Sequence, residues 1–268
     1  MKSNNTRRTF IRTAFNGILL SGMAPSIVPG FLGGCSPKLT NHHGENDIKK
    51  IQALIADKKS PLKWIFTGDS ITQGASHTKG YRSYPEIFAE HIRFEMNRAR
   101  DFIINTAISG HATTEILGDF EWRISQFKPD VVSIMIGTND AAASRHISVE
   151  VFENNLRQLI YQIRKLPAIP ILHTPNTISY IENPGKERRE LILYVKAIRK
   201  LSSDEHVVLV DNWKFWEQKN DLVNAEHWRA DALHPNGRGH LEIARLLFQA
   251  LSICDTASFT CNGNIEFN

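Results

Sequence analysis

The feature of this sequence that most limits its fold is a repeated alternation of short apolar runs with longer amphipathic segments. The apolar runs have the length of β-strands, and the segments between them carry apolar residues at helical spacing. The predicted strands are Trp64–Thr67, Phe102–Ile104, Val131–Ile136, Ile169–Thr174 and Val207–Val210. The predicted helices are Asp47–Lys58, Ser83–Arg98, Thr114–Phe127, Val149–Lys165, Lys186–Ser202 and Gly239–Ser252.

The third apolar run, residues 131–136, is apolar nearly throughout, as is typical of a strand that is covered on both faces. Strands that alternate with helices indicate an α/β fold with a five-stranded, mostly parallel sheet and helices on both faces. The 268 residues fit one such domain better than two. Sheets of this kind bind ligands outside the carboxyl ends of their strands, which is where we look for chemistry.

The charge of the chain is concentrated at its amino terminus. The formal net charge is +4, and the first 34 residues contain four basic residues and no acid. The rest of the chain therefore carries as many acidic as basic residues. Bulk charge gives no support for a nucleic-acid partner.

Residues 1–34 have the pattern of an export signal. The Arg7-Arg8 pair precedes a mostly apolar run from Ala14 to Leu32, which indicates the twin-arginine route. The alternative is a transmembrane anchor, but Gly17, Pro25 and other polar or small residues interrupt the run. We therefore predict an exported protein of the periplasm or cell envelope.

Leu32-Gly33-Gly34-Cys35 ends the apolar run and resembles the lipobox of bacterial lipoproteins. Lipidation of Cys35 would make a lipid anchor the only membrane contact, and the alternative is cleavage without lipidation. Cys254 and Cys261 then remain as a pair that an oxidising compartment can join, the alternative being two free thiols. The predicted organisation is signal 1–34, tether and leading helix 35–60, main domain 61–253 and tail 254–268.

A serine follows the first predicted strand in the sequence Gly-Asp-Ser-Ile-Thr, residues 68–72. At the carboxyl end of a strand, the Ser70 hydroxyl could point into the cleft. Read alone, a Gly-Asp-Ser sequence is more often part of an ordinary turn. The segment is also not the Gly-x-Ser-x-Gly elbow of α/β-hydrolases, because Thr72 takes the place of the second glycine.

Gly110 follows the second predicted strand and Asn139 follows the third. The Gly110 N–H and the Asn139 amide could both donate to a developing oxyanion. Each residue also has a structural explanation. Gly110 could supply a turn that needs an unusual φ, and Asn139 could cap a helix.

Asp231 and His234 follow the fifth predicted strand in the sequence Asp-Ala-Leu-His-Pro. A histidine can act as a base on a serine when a carboxylate holds its other nitrogen, and three residues of separation allow that within one turn. The alternative is an aspartate that caps a helix beside an incidental histidine. A reactive serine needs such a base, so this motif and Ser70 explain each other.

Together these segments resemble the GDSL family in its SGNH hydrolase branch. The matching segments are Gly-Asp-Ser-Ile-Thr at 68–72, Gly110, Gly137-x-Asn139-Asp140 and Asp231-x-x-His234-Pro235, in the family's order. The resemblance implies a three-layer α/β/α sandwich of flavodoxin-like order, with no metal and no organic cofactor.

The resemblance also implies roles for individual residues. Ser70 would attack an ester carbonyl, His234 would take its proton, and Asp231 would orient His234. The Ser70 and Gly110 N–H groups and the Asn139 amide would hold the oxyanion, and Asp69 would shape the turn around Ser70. His111 departs from many relatives, which have a small or acidic residue after the glycine, and this change could alter the acyl side of the pocket.

Other residues of interest carry weaker signals. Trp213, Trp216 and Trp228 precede Asp231, and Trp228 is the best candidate to stack on a sugar ring. The alternative is that these tryptophans attach a long loop to the core. The eleven histidines form no His-x-x-x-His pair on one element, so no metal site is predicted. His240, on the last predicted helix, is expected on the surface or in the core and not among the catalytic residues.

The predicted function is hydrolysis of short acyl esters, chiefly acetyl, on a small molecule or a glycan. Export and the tryptophans before Asp231 favour a sugar, and the lack of an apolar lid segment counts against long-chain lipids. The alternatives are acyl transfer to a sugar hydroxyl, a lipid or lysophospholipid esterase, and a non-catalytic glycan-binding lipoprotein. The sequence leaves the oligomeric state open.

Overall fold

Five parallel strands form one sheet in the order β2-β1-β3-β4-β5. The computed structural model describes residues 44–74, 76–181, 183–219, 225–255 and 257–262. The strands are β1 Lys63–Gly68, β2 Phe102–Asn105, β3 Val131–Met135, β4 Ile169–His173 and β5 Val208–Val210. All four neighbouring pairs are parallel, with Gly68 of β1 opposite Met135 of β3. The predicted five-stranded α/β fold with this flavodoxin-like order is confirmed.

Helices cover both faces of the sheet. They are α1 Glu45–Ala56, α2 Ser70–Gln73, α3 Tyr84–Glu90, α4 Thr113–Gly118, α5 Phe120–Arg123, α6 Val149–Lys165, α7 Leu191–Asp204, α8 Asn212–Lys219, α9 Gly237–Ala250 and α10 Phe259–Asn262. A π-helical turn, His91–Glu95, extends α3. Short 3-10 turns lie at Ser125–Phe127, Ala143–Arg145, Gly185–Arg188 and Ala225–Trp228.

The side chains of each strand alternate between two buried clusters. On β1, Trp64 and Phe66 pack with α1, α3 and α9, whereas Ile65 packs with α6 and α7 on the opposite face. This alternation follows from the two-residue period of a strand. Two apolar layers on one sheet make the three-layer sandwich, and α1, with Ile51 buried, belongs to it.

The longest helix shows how local sequence fixes an element. The Ser148 side chain accepts a hydrogen bond from the Val151 N–H at 3.2 Å and so caps α6. Apolar residues three to four positions apart then form one buried stripe, Phe152, Leu156, Leu159, Ile160 and Ile163. Arg164 and Lys165 in the last turn complement the helix dipole.

Two predicted helices are broken in the structure. The segment Thr114–Phe127 is not one helix, because the chain leaves helical geometry at Asp119 and again at Ile124. The segment Lys186–Ser202 is also interrupted, after the 3-10 turn Gly185–Arg188. In both places a buried arginine turns inward, Arg123 in the first and Arg188 in the second. The segment between β5 and Asp231, which carries the three tryptophans, begins with helix α8 and is not a loop throughout.

The last described residues, 257–262, are attached to the core. Cys254 and Cys261 form a disulfide with 5.7 Å between their Cα atoms. Thr260 and Cys261 are buried, and Thr260 Oγ1 lies 2.9 Å from Nδ1 of the buried His91. Among the described residues, no helix is both long enough and apolar enough to cross a membrane. The predicted signal and Cys35 lie outside the described residues.

Candidate active site

The turn after β1 presents Ser70 at the start of α2. Asp69 caps this short helix by accepting a hydrogen bond from the Ile71 N–H at 2.9 Å. Gly68 precedes Asp69 at a point where the backbone approaches β3. A Cβ on residue 68 would lie 2.2 Å from the Met135 carbonyl oxygen. Only glycine therefore fits this position. Burial raises the pKa of Asp69 to about 7, against the Ile71 hydrogen bond, which lowers it.

A chain of hydrogen bonds joins Ser70 to His234 and Asp231. Ser70 Oγ lies 2.8 Å from His234 Nε2. His234 Nδ1 lies 2.8 Å from Asp231 Oδ2 and 3.0 Å from Oδ1. The structure thus brings together three residues that the sequence separates by up to 164 positions.

The protonation of this pair follows from its surroundings. Burial lowers the pKa of His234, although the Asp231 carboxylate opposes that shift. Burial would raise the pKa of Asp231, but hydrogen bonds from the His234 and Leu233 N–H groups and the His234 ring outweigh it and lower the pKa. At neutral pH the pair is therefore a neutral imidazole beside a carboxylate, which suits a base.

The loop that carries Asp231 and His234 is anchored by its middle residues. Ala232 and Leu233 are buried, and the Ala232 carbonyl accepts a hydrogen bond from the Ser179 N–H at 2.8 Å. Asn176 Nδ2 donates to the Leu233 carbonyl at 2.9 Å. The Asp231 side chain, in contrast, is 42% exposed.

His77 is a neighbour of this pair that the sequence analysis missed. Its ring stacks on that of His234, with 3.4 Å between the centroids and 13° between the planes. His77 Nδ1 lies 3.5 Å from Asp231 Oδ2. No motif includes His77, and its position seven residues after Ser70 is no signal by itself. We call His77, Asp231 and His234 the base side of the site; among the described residues, they are the group close enough to share a metal ion.

Gly110 and Asn139 lie in the loops after β2 and β3. Gly110 has a φ of 80° and open space where a Cβ would stand, so its conformation, and not crowding, requires glycine. Asn139 Nδ2 donates to the His111 carbonyl at 3.0 Å. The second hydrogen of that amide has no partner among the described residues. Asn139 caps no described helix, since the next one, Ala143–Arg145, has Ala142 as its N-cap.

Arg188 holds the Asn139 side chain through a hydrogen bond, and the sequence analysis missed this residue as well. Its Nη2 donates to Asn139 Oδ1 at 3.2 Å and its Nε to the Thr138 carbonyl at 2.9 Å. Nη1 donates to the Pro184 carbonyl at 2.7 Å, and the side chain is buried. Because Oδ1 faces a cation, the amide N–H₂ of Asn139 must point the other way. In sequence, Arg188 was part of a predicted helix with no sign that it turns inward.

Arg123 and His111 lie behind the nucleophile turn. The fully buried Arg123 donates through Nη2 to the Gly68 carbonyl at 2.8 Å. Its Nη1 lies 3.2 Å from His111 Nδ1. The His111 side chain is therefore directed toward this arginine. We call Asp69, Ser70, Asn139 and Arg188 the nucleophile side of the site.

The tryptophans before Asp231 serve as packing residues. Trp213 and Trp216 are buried, so neither can stack on a sugar. The half-buried Trp228 stacks on Phe215 at 5.9 Å and meets Trp216 edge-on at 5.2 Å. This packing attaches the loop to α8, as the structural alternative expects. His240 is buried in the core, where it accepts a hydrogen bond from the Tyr84 N–H.

The fold and the site define a class of protein. A serine, a histidine and an aspartate in hydrogen-bonded sequence can perform acyl transfer through the serine. Ser70 follows the carboxyl end of β1 directly, and Asp231 and His234 come after β5 and α8, so the three residues meet at the ligand-binding edge of the sheet. The chain is an α/β ester hydrolase of the SGNH type.

The protein belongs to the GDSL-like Lipase/Acylhydrolase family, whose model matches residues 66–241. An acetylxylan esterase of Geobacillus stearothermophilus is 25% identical over 207 residues, which cover 70% of this chain and 93% of that protein. A lipoprotein of Bacillus subtilis is 32% identical over 171 residues, covering 55% of this chain and 69% of its own.

Solved structures share the fold. A Parabacteroides merdae structure described as a GDSL-like lipase has a TM-score of 0.64 at 26% identity and covers 73% of this chain and 97% of that one. A crystal structure of the Geobacillus stearothermophilus acetylxylan esterase has a TM-score of 0.61 at 23% identity, covering 73% and 96%. The resemblance inferred from the sequence motifs is confirmed.

Proposed function

We propose that this esterase removes short acyl groups, chiefly acetyl, from a carbohydrate through an acyl-Ser70 intermediate. The observation that carries the chemistry is the Ser70–His234–Asp231 chain, with 2.8 Å at each of its two links. The similarity to an acetylxylan esterase supports the substrate class.

In the first half of the proposed reaction, Ser70 Oγ attacks the ester carbonyl carbon while its proton moves to His234 Nε2. The carbonyl oxygen becomes an oxyanion, which the free N–H of Asn139 and the Gly110 N–H stabilise. His234 Nε2–H then protonates the departing sugar hydroxyl as the ester C–O bond breaks. Asp231 holds Nδ1–H throughout and so keeps Nε2 available as the base.

In the second half, water attacks the acyl-Ser70 carbonyl and gives its proton to His234 Nε2. That proton returns to Ser70 Oγ as the carboxylic acid leaves. If a second sugar hydroxyl replaces water, the same intermediate gives acyl transfer. Products formed in the presence of a free sugar acceptor distinguish the two reactions.

The test of substrate class is a series of p-nitrophenyl esters from acetate to palmitate, together with acetylated xylan. We expect acetate to be cleaved faster than octanoate and acetate to be released from the xylan. Faster turnover of long chains, or no release from any acetylated glycan, would contradict the proposal. Ser70→Ala protein is the control for hydrolysis that does not depend on the site.

We also propose that the chain is exported and lipidated at Cys35. The lipoprotein of Bacillus subtilis among its relatives supports this placement. In a host that processes lipoproteins, the full-length protein should partition into membranes, and Cys35→Ala should release it. Soluble full-length protein whose mature N-terminus is a residue other than Cys35 would contradict lipidation.

A further inference from the structure

The base side offers three metal-ligand atoms from two separate segments of the chain. His77 Nδ1, an Asp231 carboxylate oxygen and a His234 ring nitrogen all lie within 4.8 Å of one another. The three side chains are 26%, 42% and 14% exposed, so an ion in solution can reach them. Imidazole and carboxylate groups, three in number with a water in the fourth position, are the ligands of open Zn²⁺ sites.

The spacing of these atoms suits a tetrahedral ion. Zn²⁺ bonds of about 2.0–2.2 Å to nitrogen and oxygen place neighbouring ligand atoms about 3.3 Å apart. Asp231 Oδ2 lies 3.5 Å from His77 Nδ1 and 2.8 Å from His234 Nδ1, on either side of that value. The two rings stack at 13°, so one of them must turn for both lone pairs to converge. His77 is the ring that can turn, because it is the more exposed of the two.

We propose that His77, Asp231 and His234 form an inhibitory site for a transition-metal dication such as Zn²⁺. Two imidazoles select this class of ion, since Mg²⁺ and Ca²⁺ prefer oxygen ligands. Binding needs only the three side chains. The inhibition rests on the proposed function, because it acts on the base of that reaction.

Inhibition follows from the tautomer that the ion imposes on His234. In the proposed reaction, neutral His234 carries its proton on Nδ1 and accepts the Ser70 proton at Nε2. An ion can bind Nδ1 only when that nitrogen carries a lone pair in place of its proton. The single proton of the neutral ring is then on Nε2. Nε2–H then donates to Ser70 Oγ and has no lone pair to receive its proton. The ion thus stops the first step without touching Ser70.

The first experiment measures binding without turnover. Full-length protein carrying Ser70→Ala keeps all three ligands and is titrated with ZnCl₂ by calorimetry. We expect one binding site. Loss of an outer-shell group typically lowers the affinity of a metal site roughly 10–100-fold. Loss of a ligand, by His77→Gln added to Ser70→Ala, should lower the Zn²⁺ affinity by at least as much. His227→Gln is the matched control, because His227 is exposed and outside the cluster. Equal affinity with and without His77 would overturn the proposal.

The second experiment measures the consequence for hydrolysis of p-nitrophenyl acetate. In chelator-treated wild-type protein, micromolar ZnCl₂ should suppress kcat, EDTA should restore it, and MgCl₂ should have no effect. Each variant is compared with its own metal-free rate. His77→Gln should need at least about tenfold more ZnCl₂ for half inhibition, matching its loss of affinity.

The outcomes separate the two proposals. If His77→Gln and wild type show the same sensitivity to ZnCl₂, the inhibitory site is wrong whatever the reaction is. If metal-free protein hydrolyses no ester but binds Zn²⁺ through His77, the proposed function fails, the inhibition fails with it, and only the binding site survives.

Discussion

The two sides of the candidate active site are built in different ways. On the nucleophile side, Asp69, Asn139 and Arg188 are buried and attached to the ends of β1 and β3, which are adjacent in the sheet. On the base side, Asp231 is 42% exposed and belongs to a loop that the sheet does not hold directly. That loop is held in two ways. Its backbone makes hydrogen bonds such as that from Ser179 N–H to the Ala232 carbonyl, and the side chains of Ala232 and Leu233 are buried.

The difference agrees with what the proposed reaction would require of each side. A group that stabilises a developing charge must be fixed before the charge appears, and it acts most strongly where water is excluded. Strand ends and a buried arginine meet that requirement for Asn139. A base must exchange protons with substrate and water, so it tolerates an exposed partner. Changes on the nucleophile side should therefore affect stability and catalysis together, and changes on the base side mainly catalysis.

The largest effect is expected where the two sides meet. Ser70→Ala and His234→Ala should each lower kcat by roughly 10⁴–10⁶-fold, because the pair acts as a unit. Both variants should keep the fold, as seen by circular dichroism, since neither residue belongs to the two buried apolar clusters. Ester hydrolysis measured on both variants is the test. A Ser70→Ala protein with most of its activity would refute the assignment.

The next effect should come from Asp231→Asn on the base side. Asn keeps an oxygen for the Leu233 and His234 N–H groups but can leave His234 in the wrong tautomer. We expect kcat to fall about 10³-fold, below the roughly 10⁴-fold known for a buried triad aspartate, because water partly replaces an exposed carboxylate. The melting temperature should barely change. A loss greater than that of Ser70→Ala would contradict this account.

A smaller loss of rate, together with a loss of stability, is expected from Asn139→Ala on the nucleophile side. The proposed oxyanion contact would strengthen in the transition state, so kcat should fall roughly 10²–10³-fold with KM little changed. The change also removes the hydrogen-bond partners of Arg188 Nη2 and of the His111 carbonyl, at a cost of about 1–3 kcal/mol in stability. Steady-state kinetics and thermal melting test both. Wild-type kcat with a lowered melting temperature would leave Asn139 a purely structural role.

The smallest effect on rate should come from Arg188→Met, which releases the Asn139 side chain without removing it. We expect kcat to fall about tenfold, or ~1.4 kcal/mol in transition-state stabilisation, and the melting temperature to fall as well. In an Asn139→Ala background the same change should cost almost no further kcat, because Arg188 acts through Asn139. Arg189→Met, at an exposed neighbour, is the matched control. Additive losses in the double variant would show that Arg188 acts by another route.

Local sequence predicted the fold well where burial has a simple period. Every predicted strand exists, within a residue at each end, because a run such as Val131–Met135 is apolar except for Ser133 and is buried throughout, as is typical of a strand inside a sheet. The predictions failed where a contact distant in sequence competes with helix propensity. Arg123 reaches the Gly68 carbonyl, and Arg188 reaches Thr138 and Asn139, so each interrupts a segment that reads as one helix.

The sequence by itself determined the family and the residues of the proposed reaction, because four short motifs in fixed order specify them without any coordinates. Only the tertiary structure decided which side chains support those residues. His77 stacks on His234, which lies 157 positions later in the chain, and Arg188 meets Asn139 across 49. Such contacts depend on where strand ends and loops converge in space. A local pattern records the period of one element and carries no information about what a distant loop brings to it.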